Sequence, residues 1–133
     1  MSRPLLLDLF CGAGGGGYGG YHRAGFDVVG VDIKPQPHYP FEFVQMDVMG
    51  RCALEALHVG EFDAIHASPP CQHYSALKVK SSKVWPALVA PTRTLLKAAG
   101  VPWVIENVMP APMHSGITLC GEMFGLRTIR HRR

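Results

Sequence analysis

Apolar residues along this chain gather in five short runs, each closed by glycine, proline or a polar strand end. "PLLLDLF" (4–10) opens the series and stops at the glycine-rich stretch "GAGGGGYGG"; the "YHRAGF" that follows predicts the close of a helix capped by Gly25. "DVVGVDI" (27–33) and "FEFVQMDV" (41–48) are β-branched, buried-strand patterns that end in acidic residues, Asp32 in the first and Asp47 in the second. "RCALEAL" predicts a short helix, "FDAIHAS" a fourth strand, "VWPALVAPTRTLLKAAG" an interrupted helical region and "PWVIENV" a fifth strand. Strands alternating with helices predict an α/β, Rossmann-like domain, a mostly parallel sheet with helices on both faces. Such sheets take ligands at the carboxyl ends of their strands, and the notable polar residues of this chain fall there. "KPQPHYP" (34–40) and "MPAPMHSG" (109–116) read as proline-rich, loop-like insertions, and no internal repeat or linker is visible.

Composition narrows the class. The 133 residues are one domain's worth, enough for a modest core but not for an independent recognition domain as well. With 47% hydrophobic and 17% charged residues the balance is that of a folded chain. The formal charge of +3 owes much to the end "RTIRHRR", where Arg127, Arg130, Arg132 and Arg133 localise attraction for polyanions. The apolar start is interrupted by Asp8, is too short to span a bilayer and carries no cleavage signal. Cys11, Cys52, Cys71 and Cys120 are irregularly spaced without CxxC, which suggests neither a disulfide framework nor a zinc site. Reduced thiols, a cytoplasmic setting, and neither metal nor membrane are expected. The seven histidines, scattered without ligand spacing, read as surface or loop residues.

Glycines after a first strand let the backbone turn tightly, approach a ligand and present N–H groups at a helix start. Alone, that pattern is open between a dinucleotide, S-adenosylmethionine and tight packing. Asp32 favours a ligand, since a carboxylate ending the second strand can accept both hydroxyls of a ribose, and Asp47 is placed for a further polar contact. Lys34 follows the second strand, so no Walker-type lysine serves a phosphoryl-transfer site. Pro69 and Pro70 fix two φ angles directly before Cys71, a rigid mount that suits a nucleophile, although a lone loop cysteine is also read as an inert thiol. Glu106, ending the fifth strand, is expected as a buried acid facing that thiol or as a loop-fixing carboxylate. Asn107 is expected to hold the loop through its side chain.

Taken together, "DLFCGAGG", "GVDI", "MDV", "SPPCQ", "ENV" and "RHR" resemble, in order and rough spacing, the cytosine-5 DNA methyltransferases over nearly the whole chain. "PPCQ" followed by "ENV" is the specific part. The resemblance implies S-adenosylmethionine as cofactor, leaving as S-adenosylhomocysteine. Phe10, Gly12, Ala13, Gly14 and Gly15 match its loop, Asp32 and Ile33 its ribose and adenine contacts, Asp47 and Val48 the adenine, and Pro70 adjoins it. Cys71 matches the nucleophile, Glu106 the acid on the target base, and Arg130 and Arg132 the paired arginines near it; Thr128 stands where the family often has glutamine. The implied substrate is a cytosine flipped out of duplex DNA. "QHYSALKVKSSK" resembles the loop that closes on DNA, with Lys78, Lys80 and Lys83 placed for phosphates. The family continues past the paired arginines into a target-recognition region, which these residues lack. Recognition is therefore expected from a second polypeptide, a continuation of this one, or self-association. Half of a split enzyme, a truncated one, a non-catalytic S-adenosylmethionine-binding module and a transfer-RNA cytosine-5 methyltransferase remain open.

Overall fold

The structure, a computed structural model, describes residues 2–75 and 83–126. Among them five strands form one sheet: β1 (Leu5–Leu9), β2 (Asp27–Asp32), β3 (Glu42–Gln45), β4 (Ala64–Ala67) and β5 (Trp103–Ile105). Their order is β3-β2-β1-β4-β5 and every pairing is parallel. The chain steps outward from β1 to β3, then crosses back over β1 to β4, which puts the topological switch between β1 and β4.

Side chains alternate along a strand, so each central strand feeds two faces. One face gathers Leu7, Leu9, Val29, Val31, Ile65 and Ala67, packed with Leu57, Val59 and Leu96. Leu57 closes the single turn α1 (Ala53–Ala56), and Leu96 belongs to α2 (Val89–Ala98). Pro91 is tolerated in α2 because the first turn of a helix has no intrahelical use for that N–H. The other face presents Leu6, Asp8, Val28, Gly30 and His66, under a wide-turned helix at Gly17–His22 and the side chain of Tyr39. Helices thus lie on both faces, as the alternation of runs predicts.

Three local expectations are corrected. The helix expected after the glycine stretch begins inside it: residues 15 and 16 are already helical and the wide-turned helix runs through Gly17, Gly19 and Gly20. Glycine is a poor helix former, but a Cβ on Gly17 would come 2.9 Å from both Asp8 Oδ2 and Tyr39 Oη, so this helix sits closer to the sheet than any other residue allows. "KPQPHYP" is no mere insertion, because Tyr39 folds back into the molecule and is buried. Lastly, β3 and β5 stop early, leaving Asp47 and Glu106 in the turns beyond them. No described helix is long and apolar enough to cross a membrane.

Candidate functional site at the carboxyl edge of the sheet

Sheet bonding continues one or two residues past the strand ends and fixes where each candidate residue departs. Cys11 N–H donates to Val31 O (3.1 Å), Met46 N–H to Asp32 O (3.0 Å), Ser68 N–H to Leu9 O (3.2 Å) and Glu106 N–H to Ala67 O (2.9 Å). The turns that carry the glycines, Asp32, Asp47, Cys71 and Glu106 therefore rise from one edge, flanking the switch point.

After β1 the chain reverses through left-handed backbone at Phe10 (φ 58°), Gly12 (φ 52°) and Gly14 (φ 93°). Phenylalanine adopts that region at a cost of about 1 kcal/mol, which the surrounding bonds must outweigh. The turn is closed by Gly14 N–H on Cys11 O (3.0 Å) and by Tyr18 N–H on Gly14 O (2.8 Å). Positions Gly12 and Gly15 face open space, since a Cβ on either would meet nothing within 4 Å, and Ala13 is exposed. Asp32 grips the turn from the neighbouring strand: Gly12 N–H donates to its Oδ2 (3.0 Å) and Lys34 N–H to its Oδ1 (2.9 Å). Each carboxylate oxygen keeps a free lone pair, so a vicinal diol remains within its capacity. Ile33, beside it, is 59% exposed, a large apolar side chain left on the surface at the site. Asp47 is exposed and takes Met49 N–H on Oδ1 (2.9 Å), whereas Val48 packs into the core and leaves only its backbone for a ligand.

Beyond β4, Pro69 is buried and its carbonyl accepts Asn107 Nδ2–H at 2.7 Å. Asn107 Oδ1 in turn accepts Val108 N–H (3.0 Å), so this side chain holds the loop, as expected from its chemistry. Cys71, half-buried, opens a single helical turn in which its carbonyl accepts the N–H of Tyr74 and of Ser75, both at 2.9 Å. Two contacts tie that turn to the start of α2: His73 Nδ1 lies 2.9 Å from Trp85 O, and Val89 N–H donates to Tyr74 Oη (3.1 Å). Glu106 is exposed rather than buried: it continues the edge strand β5 on the face of Val104, which is itself 53% exposed. Lys83 sits over the Trp85 ring, 4.2 Å from its centroid. Lys78, Lys80, Thr128, Arg130 and Arg132 lie outside the described residues.

Asp8 and His66 escaped the sequence reading, and they correct the expectation that the histidines are surface residues. They are direct register partners across β1 and β4, 1% and 9% exposed, with His66 Nδ1 3.0 Å from Asp8 Oδ1. The available signal was a polar residue interrupting each of two apolar strands. Asp8 also bears on Cys11, whose thiol is pushed from its ordinary 9.0 up to about 12 by burial first, then by the charges of Asp8 and Asp32. Cys11 is therefore no nucleophile at neutral pH. Alkylation of the folded chain at pH 8 should modify exposed Cys52 first and spare Cys11 until unfolding, as peptide mapping will show; equal rates would contradict the burial. The folded chain keeps this proton where the unfolded chain releases it, so the group's contribution to stability is full below pH 9 and declines as pH climbs toward 12.

Among solved structures, an E. coli protein described as a candidate DNA modification methyltransferase, encoded within a prophage, matches with a TM-score of 0.58 and 25% identity over 84% of this chain and 34% of that one. The chain has a DNA-methyltransferase-like fold. It is α/β and Rossmann-like, with the glycine turn and the Pro-Pro-Cys turn on either side of the switch between β1 and β4. The chain spans about a third of the length of that protein. Weaker matches are a short-chain dehydrogenase from Leptospira borgpetersenii with bound NAD+ (13% identity, TM-score 0.43, 62% of this chain and 37% of that one) and a 4-hydroxyisoleucine dehydrogenase complexed with NADH (19%, 0.47, 79% and 55%). No protein-family model and no curated protein matches the sequence.

Proposed function

We propose that the chain is the catalytic, cofactor-binding part of a DNA (cytosine-5)-methyltransferase. One observation carries the reading. A cysteine on a rigid Pro-Pro turn is tied, through the 2.7 Å bond from Asn107 to Pro69, to the loop bearing Glu106, at the same sheet edge as a glycine turn gripped by an aspartate. Hydride transfer to a nicotinamide requires neither the thiol nor the acid.

The residues at that edge fit S-adenosylmethionine. The turn of Phe10, Gly12, Ala13, Gly14 and Gly15 offers open space and backbone donors, Asp32 a carboxylate for the ribose hydroxyls, exposed Ile33 an apolar surface for adenine, and Asp47 with the Val48 backbone polar contacts beside it. When bound, the cofactor supplies a methyl group made electrophilic by its sulfonium. Pro70, half-buried and next in chain to Cys71, is assigned to the cofactor side by the resemblance alone. Cytosine C5 is a poor nucleophile, and the role of this chain is to activate it. The Cys71 thiolate adds to C6 while Glu106 engages N3, and the electron pair moves to C5, the carbon that would receive the methyl group from a bound cofactor, with S-adenosylhomocysteine as the leaving group. Loss of the C5 proton to solvent would then re-form the C5–C6 double bond and expel the thiolate. Exposure of Glu106 suits this role, since a group that meets a flipped base must be reachable from outside. Arg130 and Arg132 are assigned the role of the family's paired arginines by the resemblance alone.

DNA as the substrate class is supported by the prophage neighbour's description. By the resemblance to the family, groove contacts belong to a target-recognition region, whether carried by a second polypeptide, a continuation of this chain, or a second copy. Incubating the chain, with and without such a region, with S-adenosylmethionine and an oligonucleotide containing 5-fluorocytosine should yield a stable covalent adduct; its absence in the completed enzyme refutes the mechanism. For the cofactor, Asp32→Ala removes a charge-assisted contact of roughly 1.5 to 3 kcal/mol, so calorimetry should show affinity for S-adenosylmethionine falling by about ten- to a hundredfold. Unchanged affinity would remove Asp32 from the site.

A further inference from the structure

Beneath the glycine turn lies a buried polar cluster that the chemistry above does not use. The Tyr39 ring meets three glycines from three elements: an added Cβ would come 3.1 Å from its Cε2 at Gly14 in the turn and 2.3 Å from its Cζ at Gly30 in β2, and 2.9 Å from its hydroxyl at Gly17 in the wide-turned helix. That hydroxyl donates to Asp8 Oδ2 at 3.5 Å, while Asp8 Oδ1 is held by His66 Nδ1 at 3.0 Å. The Tyr21 ring closes over His66, 5.2 Å between centroids. Burial, then the Asp8 charge, pushes the Tyr39 hydroxyl well above the usual tyrosine range, and the same two causes raise that of Tyr21.

We propose that Tyr39, anchored by its hydroxyl on Asp8 and backed by His66, is a positioning residue that sets the glycine turn in its cofactor-receiving shape. This rests on the methyltransferase reading for the identity of the ligand, not for the positioning itself. The segment from Asp32 to Tyr39 grips the turn twice: Asp32 fastens Gly12 N–H from the rim, and Tyr39 returns beneath Gly14. Gly14 has φ 93°, a conformation that glycine leaves as readily as it adopts, so the turn depends on what lies under it. An apolar side chain would fill the same volume without burying a carboxylate, and a buried carboxylate has to be met by donors. What the polar cluster adds to plain packing is a fixed orientation for the ring. It also reaches β4, whose continuation carries Ser68 and the turn to Cys71, and Ser68 N–H donates to Leu9 O at the root of the glycine turn.

The test uses the purified chain of residues 1–133 and Tyr39→Phe, which keeps the ring and deletes the hydroxyl. Hydrogen exchange at the Gly14 and Tyr18 amides, which close the turn, should speed up roughly two- to tenfold, the equivalent of one net hydrogen bond, while amides of β1 and β2 keep wild-type protection. Affinity for S-adenosylmethionine should fall by a similar factor, and in an active complex KM for it should rise with kcat unchanged. His66→Asn, which can still donate to Asp8, should retain wild-type values, and His66→Leu should not. Unchanged exchange at Gly14 and Tyr18 in Tyr39→Phe, or equal loosening of the strand amides, overturns the proposal. If the wild-type chain binds no S-adenosylmethionine, the methyltransferase reading fails instead, and the exchange measurement still decides the positioning role.

Discussion

Cys71→Ser should eliminate both the covalent adduct and methyl transfer, lowering turnover by roughly a thousandfold or more, which corresponds to about 4 kcal/mol of transition-state stabilisation. The hydroxyl of serine is far less acidic than a thiol and adds poorly to C6 without a dedicated base. The turn itself should survive the change. It is held by backbone acceptors at Cys71 O and by Asn107 on Pro69, none of which involves the sulfur. Cys52→Ser and Cys120→Ser, neither on a comparable constrained turn in the sequence, should retain activity, and the Cys11 thiol is disqualified by its burial and by its two neighbouring carboxylates. The measurement is tritium transfer from labelled S-adenosylmethionine to DNA in an enzyme shown to be active, with each variant's S-adenosylmethionine affinity measured in parallel. Substantial turnover by Cys71→Ser would falsify the covalent route; loss in Cys120→Ser would move the nucleophile elsewhere.

The parts of this site that were legible in the sequence are those where chemistry and backbone geometry coincide. Apolar runs broken by glycine or proline mark strand ends, so Asp32, Asp47, Cys71 and Glu106 could be assigned to one edge without coordinates, and Asn107 could be expected to brace its loop. What was not legible depends on contacts between distant segments. Tyr39 lies in a proline-rich stretch that carries every local mark of a surface loop, and only the missing side chain at Gly30, in another strand, lets its ring settle on the sheet. Asp8 and His66 are separated by 58 residues and become partners through the β1·β4 register. The glycine stretch was misjudged for a related reason. Local propensity disfavours helix there, but the close seat of Gly17 over Asp8 and Val28 outweighs it. Glu106 shows the reverse error: an apolar strand ahead of it suggested burial, yet β5 lies at the sheet edge and the face that Val104 and Glu106 share is exposed.

Gly30→Ala should be the most damaging single methyl group that can be added to this chain's sheet. Its Cβ would lie 2.3 Å from Tyr39 Cζ, 2.5 Å from Cε1 and 2.6 Å from the hydroxyl, far inside contact distance and against a rigid ring, not the free end of a flexible side chain. The ring has little room to retreat. Tyr39 is buried, with Phe41 and Phe43 packed on it at 6.1 and 5.8 Å between centroids. Either β2 shifts or Tyr39 leaves the face it covers, and each route costs on the order of 3 kcal/mol, at the upper end of overpacking penalties. A fall in melting temperature of roughly 10 °C or more is expected, with weakened S-adenosylmethionine binding because the glycine turn loses its support. Gly19→Ala and Gly20→Ala are the matched comparisons: both lie in the wide-turned helix, a Cβ at either meets nothing within 4 Å, and each should be neutral or stabilising by up to about 1 kcal/mol. A double-mutant cycle isolates the cause, since the cost of Gly30→Ala should largely vanish in a Tyr39→Ala background if the clash with this ring is responsible. Should the cost stay the same without the ring, the damage arises from the strand backbone itself, and the account of Gly30 as the seat of Tyr39 is wrong.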